Sequence, residues 1–154
     1  MMTNTPQDTQ GVISNGQGEL EFGTFPLRDL KPDELLVKIH SCSINPVDHI
    51  FNGGYFQTPE PLGDKYIGGM EGSGVVISAG EEVISRIGSN VCFWHVQGGA
   101  WAEHMIISSK YAFDVSEGVE LEDAACIGIL ATAQAMIRIA KENGHKGIIH
   151  TGAA

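Results

Sequence analysis

The chain has 154 residues and carries nine lysines and arginines against nineteen acids, a formal net charge of −10. A surface this acidic argues against nucleic acid and against anionic membranes as partners. The length suits one domain with at most a fragment of a second, and an apolar fraction of 42% is enough for a packed core.

Twenty glycines, most of them between short apolar runs, favour strands and turns over a helical bundle. The opening "MMTNTPQDTQ" is polar and has no hydrophobic stretch or arginine. It resembles neither a secretory signal nor a mitochondrial presequence, and residues 1–11 are expected to be a disordered tail. "ELLVKIHSCSI" reads as a strand with Val37, Ile39 and Ser41 on one face, entered through a turn at Pro32-Asp33. "NPVDHIFNGGYF" reads as a turn, with a single helical turn in it, followed by a glycine loop ending in aromatics. A strand follows over Gly74–Ser78, closed by a turn at Ala79-Gly80. "NVCFWHV" and "AWAEHMIIS" read as the two strands of a hairpin across Gln97-Gly98-Gly99, and "YAFDV" as a further short strand. Residues 12–115 therefore have the signature of a small barrel or sandwich.

The pattern changes at Ser116. From there the chain reads as helical with a break at Gly128, an apolar stripe of Leu130, Ala133, Ile137 and Ala140, and a stop at Asn143-Gly144. Met136 and Ile139 lie off that stripe, so the helix is apolar on more than one side and residues 116–154 are expected to need a partner surface. The closing "KGIIHTGAA" reads as a buried strand running into a small-residue turn, the way a dinucleotide-binding βαβ unit begins.

Three widely spaced cysteines, Cys42, Cys92 and Cys126, give no disulfide framework and no metal knuckle. Cys42 and Cys92 lie in apolar runs and are expected to be buried thiols. A reducing compartment is the natural reading, cytoplasmic with a mitochondrial one left open. No apolar run reaches membrane-spanning length. The six histidines show no paired ligand spacing and read as strand or loop residues.

Four stretches, in this order and spacing, carry a resemblance: "LLVKIHSCSINPVD", "GGMEGSGVV", "GGAWAEHMIIS" and "LEDAACIGILATAQAM". Together they resemble the medium-chain dehydrogenase/reductase superfamily, in its zinc-free quinone oxidoreductase branch. The resemblance implies a mainly β fold: a GroES-like, partly open β-barrel over 12–115. Connecting helices and the first strand of an incomplete Rossmann domain would follow over 116–154. On this reading the chain is cut just inside the cofactor domain.

The resemblance also implies chemistry. Zinc-dependent relatives carry metal ligands at positions held here by Asn45, Met70 and Gly128, so no zinc is expected. Hydride from NADPH, or NADH, would then pass to an already activated carbonyl or quinone acceptor, with the protein supplying orientation and hydrogen bonds. Asn45 reads equally as a turn former before Pro46 and as an amide that fixes the nicotinamide or polarises a carbonyl. Tyr55 corresponds to a tyrosine that protonates product in enoyl reductases. Its spacing from Asp48 is one residue shorter, and a pocket-wall role stands beside the chemical one. Thr132, in the family's T-A dipeptide, would lie by the nicotinamide, or simply bond its own helix backbone. Thr151 and Gly152 would begin the pyrophosphate turn. Asp48 reads as a cap of its own turn, Glu71 as structural, and Trp101 and Phe56 as packing or pocket wall. Ile129-Leu130 stands where the family has Asn-Pro, and Gly88-Ser89-Asn90 where it has Gly-Asp.

Two functions are compatible with these residues. One is the substrate domain of a zinc-independent quinone, enone or enoyl oxidoreductase. The other is an inactive family member serving as a structural or binding subunit. Expected partners are a small-molecule acceptor and a homodimer, second half-chain or larger assembly, without membrane insertion.

Overall fold

The computed structural model describes residues 5–15, 18–52 and 66–147. Its strands are β1 (Asp8–Ser14), β2 (Leu20–Pro26), β3 (Glu34–Cys42), β4 (Tyr66–Ile67), β5 (Glu71–Ala79), β6 (Asn90–Trp94), β7 (His104–Ser108) and β8 (Ala112–Asp114). Its helices are α1 (Pro46–Asn52), α2 (Leu121–Ala124) and α3 (Ile127–Glu142). Two antiparallel sheets result, a three-stranded one ordered β2-β1-β4 and a five-stranded one ordered β7-β3-β5-β6-β8. The fold is mainly β and barrel-like without closing, as the resemblance implies.

The core lies against the five-stranded sheet. Leu35, Val37, Val76, Val91, Phe93, Met105 and Ile107 form one buried cluster, with Phe93, Leu35, Val37 and Val91 fully shielded from solvent. β3 runs through its centre, paired with β7 on one side and β5 on the other, which is why its first four residues are all buried. Toward its end β3 alternates, and its register with β5 slips between Ile39 and Ser41. Such a bulge bends the strand and re-aims the residues beyond it. Gly72 permits that close approach, since a Cβ there would lie 2.7 Å from the Ser41 carbonyl oxygen.

Four expectations are corrected. First, β1 begins at Asp8, inside the stretch read as a disordered tail. Thr9 is buried, and the chain bridges Gly11 to Ala102, so contacts far along the chain order a segment whose composition looks like a tail. Second, β6 and β7 are not a hairpin: β6 pairs with β5 and β8, and β7 pairs with β3. Gly98 and Gly99 take positive φ of 78° and 112°, turning the chain back onto the segment after β4. There Gly99 N–H donates to Ile67 O at 2.9 Å and Trp101 N–H to Gly68 O at 2.9 Å. Third, the helical break falls at Ala125-Cys126, and Gly128 lies in the first turn of α3. Fourth, Cys92 is buried but Cys42, on the alternating end of β3, is exposed.

The helix α3 stops at Asn143-Gly144 as expected, with Gly144 at φ 71°. Its predicted apolar stripe, however, is not packed. No residue of α3 is buried; Leu130 is 57% and Ile137 47% exposed, and Ile129, Met136 and Ile139 are comparably open. By contrast, α2 docks firmly, with Ala124 and the following Ala125 buried and Ser73 Oγ donating to Leu121 O. No helix among the described residues is long and apolar enough to cross a membrane. The terminal strand and turn, 148–154, lie outside the described residues.

Candidate functional site

The site is assembled where β3 ends, β5 begins and α3 starts. Asn45 stands immediately before α1, with Pro46 at the first helical position, where its missing N–H costs nothing. Asp48 Oδ2 accepts the Asn45 backbone N–H at 2.7 Å, half of a capping box. The expected capping role of Asp48 is thus what the structure displays. Asn45 does not use its own side chain as the matching cap. The amide turns instead to the next strand, where Nδ2 donates to Glu71 Oε1 at 2.7 Å and to Ser43 Oγ at 2.8 Å. Ser43 Oγ itself donates to Glu71 Oε1 at 2.7 Å.

Glu71 is 1% exposed, and its other oxygen accepts the Gly128 N–H at 2.6 Å. That N–H is one of the free donors of the first turn of α3, which favours a negative charge. Gly128 is needed there, because a Cβ would lie 2.6 Å from Trp94 Cδ1 and 2.7 Å from Glu71 Oε2. Ser43 is held from the other side, where Trp101 Nε1–H donates to Ser43 O at 3.3 Å. The Trp101 indole covers Gly68 and Gly69, leaving no room for a side chain at either. Trp101 is therefore a packing residue that anchors the Ser43 loop.

Asp48 is buried, and among the described residues its Oδ1 has no hydrogen-bond partner. Burial pushes its pKa up and the Glu71 charge adds to this, while the N–H of Asn45, and that of Met70 nearby, pull the other way. Two buried carboxylates thus flank Asn45, one fixing its backbone and one its side chain.

Among the residues expected at the site, Asn45 is at its centre. Thr132 is linked to it through one turn of helix: it is exposed, and Oγ1 donates to Gly128 O at 2.9 Å. Its hydroxyl is engaged with its own helix backbone. Tyr55, Phe56, Thr151 and Gly152 lie outside the described residues. Sequence reading passed over Ser43 and gave Glu71 only a structural part. Ser43 is two residues from Asn45 in the same loop, but Glu71 reaches Asn45 from β5, and no local spacing signals that contact.

Asn45 and Gly128 meet on Glu71, and Met70 precedes it in the chain, so the three positions at which the resemblance implies zinc ligands in zinc-dependent relatives come together here. The donors do not suit zinc: an amide whose nitrogen is turned to a carboxylate, a buried thioether, and no side chain at all. Among the described residues no three of His, Cys, Asp and Glu gather as a metal site.

Comparison with known proteins agrees with this architecture. The alcohol dehydrogenase GroES-like domain matches residues 31–117. The synaptic vesicle membrane protein VAT-1 of Tetronarce californica is 31% identical over 127 residues, 79% of this chain and 32% of that protein. The quinone oxidoreductase of Sus scrofa is 29% identical over 100 residues, 64% of this chain and 30% of that protein. A solved NADPH:quinone reductase from Mesorhizobium loti superposes with a TM-score of 0.80 at 26% identity, covering 92% of this chain and 46% of that one. The chain thus spans about a third of the length of these curated relatives and under half of the solved one. It belongs to the alcohol dehydrogenase GroES-like domain family of the medium-chain dehydrogenase/reductase superfamily, among quinone oxidoreductase-like relatives.

Proposed function

We propose that this chain is the substrate-side domain of a zinc-independent, NAD(P)H-dependent oxidoreductase acting on quinones, enones or enoyl compounds. The observation that carries the reading is the Asn45–Glu71–Gly128 arrangement: a fixed amide occupies a position where the resemblance implies a metal ligand in zinc-dependent relatives. Such a site does not polarise its acceptor with a metal, so it suits acceptors that are already activated. NADPH is the preferred donor on the strength of relatives named for it. Its nicotinamide would approach Asn45 and Thr132. Its pyrophosphate would need a glycine turn and helix N-terminus of the kind that Thr151-Gly152 begins. The chemistry would require a dinucleotide-binding domain, and Tyr55 is the candidate proton donor.

A second reading is favoured by one observation. The open apolar face of α3, with Ile129-Leu130 at a cofactor-proximal position of the family pattern, suits a subunit that docks into an assembly without catalysing. One experiment separates the two. The chain is joined to the rest of its reading frame, or mixed with a candidate partner chain, and NADPH oxidation is followed with a panel of quinones and enones. Turnover that requires Asn45 supports the enzyme. Tight assembly without turnover supports the subunit. The 154-residue chain alone is expected to be silent, and NADPH oxidation that co-purifies with it would contradict the proposal.

A further inference from the structure

Asn45 breaks a local rule. Asparagine before a helix ordinarily turns its side-chain oxygen onto the first free N–H groups of that helix. Here the amide is drawn away by Glu71 and Ser43, and its orientation is set by counting protons. Ser43 has one hydroxyl proton and gives it to Glu71 Oε1, so toward Asn45 both Ser43 Oγ and Glu71 Oε1 are acceptors. Only the nitrogen end of the amide can face them, at 2.8 and 2.7 Å. The reverse orientation would set a carbonyl oxygen against a carboxylate oxygen at hydrogen-bond distance. Oδ1 therefore points away from this pair. No donor from the described residues reaches it, Asn45 is only partly buried, and Oδ1 is not among the buried unpaired atoms.

We infer that Asn45 serves the site as a hydrogen-bond acceptor, with Ser43 and Glu71 as the positioning residues that hold it so. The ligand group it takes is an N–H or O–H donor, such as a primary carboxamide or a hydroxyl. It does not polarise an acceptor carbonyl, one of the two roles open to it in the sequence. This rests on the oxidoreductase reading for the identity of the ligand, not for the orientation of the amide. Because Glu71 also holds the Gly128 N–H, the placement of α3 and the aim of Asn45 are tied to one carboxylate.

The test uses NMR on the whole 154-residue chain. The Asn45 side-chain amide is expected to exchange with solvent about tenfold or more slowly than that of Asn90, since a charge-assisted hydrogen bond holds it. Ser43→Ala should lower that protection in part and Glu71→Gln further. Because Glu71→Gln could loosen the fold, the wild-type measurement and Ser43→Ala decide the matter. The probes are nicotinamide, N,N-dimethylnicotinamide, which lacks the donor, and 2-cyclohexenone, which offers only a carbonyl. Nicotinamide is expected to shift the Asn45 signals at concentrations where the other two do not. Equal shifts with cyclohexenone would overturn the acceptor role. Silence with all three would overturn the assignment of a ligand donor to Asn45, and an unprotected amide would overturn the orientation itself. Turnover of NADPH by the completed protein, measured separately, would keep the oxidoreductase reading standing in each of those failures.

Discussion

The five-stranded sheet and helix α3 are alike in apolar content and opposite in what becomes of it. In the sheet, Leu35, Val37, Val91 and Phe93 are wholly buried, while in α3 the residues Ile129, Leu130, Met136, Ile137 and Ile139 are about half exposed. An apolar pattern states which face favours burial, but burial itself needs an opposing surface. The sheet finds one in its own neighbouring elements; among the described residues α3 meets β5 and β6 through its first turn, and the apolar residues beyond that turn stay open.

The largest test of that contrast is a pair of truncations. Phe93→Ala should destabilise the chain by about 3–5 kcal/mol in urea unfolding, from lost transfer energy and a residual cavity. Ile137→Ala should stay within about 0.5 kcal/mol, as for an exposed site. A cost near that of the core for Ile137→Ala would mean that the α3 face is covered in solution, and the contrast would fail.

The next test asks what joins the sheets. Gly69 has φ 83° and sits beneath the Trp101 indole, so Gly69→Ala meets both backbone strain and a clash. A loss of about 1–3 kcal/mol is expected. An unchanged midpoint would show that Trp101 moves freely and does not anchor Ser43.

A comparable effect is expected at the junction of core and helix. Glutamine at position 71 has one carbonyl oxygen where Asn45 and Gly128 each need an acceptor. Glu71→Gln should therefore cost about 1–3 kcal/mol. Hydrogen exchange should also quicken at the start of α3 more than in β3. Uniform loosening of both would show that Glu71 serves the core generally.

The smallest effects lie in acid, where two buried carboxylates should act in opposite directions. Glu34 sits at the start of β3, and a bidentate bond from Arg28, at 2.6 and 2.8 Å, holds its pKa below the ordinary 4.5. Its contribution is present above that value and is lost as pH falls through the lowered folded pKa. Asp48 is pushed above its ordinary 3.8, first by burial. It favours the fold while protonated, and that contribution is lost as pH rises through the raised folded value. Urea midpoints between about pH 3 and 6 should show Glu34→Gln weakening the acid loss and Asp48→Asn removing the opposing slope. Equal slopes in both variants would contradict the assignment.

Local features of the chain were legible where local physics decides them. β3 follows from its apolar run, the turn before α1 from Asn45-Pro46, and the end of α3 from Asn143-Gly144. The pairing of β6 and β7 was not legible, because glycine-rich turns look alike whether the chain folds back on itself or crosses to another element. Thr9 and Gly11 are ordered by residues about ninety positions further on. At the site, the position of Asn45 could be read but the aim of its amide could not, since that depends on Glu71 from another strand. Cys42 misled because an apolar run was read as uniformly buried, whereas β3 alternates from Lys38 to its end.

The central place of β3 has a consequence for how the protein is made. Its two neighbours leave the ribosome later, and the pairing of Glu34 with Ser108 is among the last of its contacts to become available. At ordinary elongation rates that interval is on the order of several seconds. Throughout it, Leu35, Leu36 and Val37 are carried on a strand with at least one open edge, a target for chaperones or for a neighbouring nascent chain. The strand that organises the finished core is thus itself open to misassembly during synthesis.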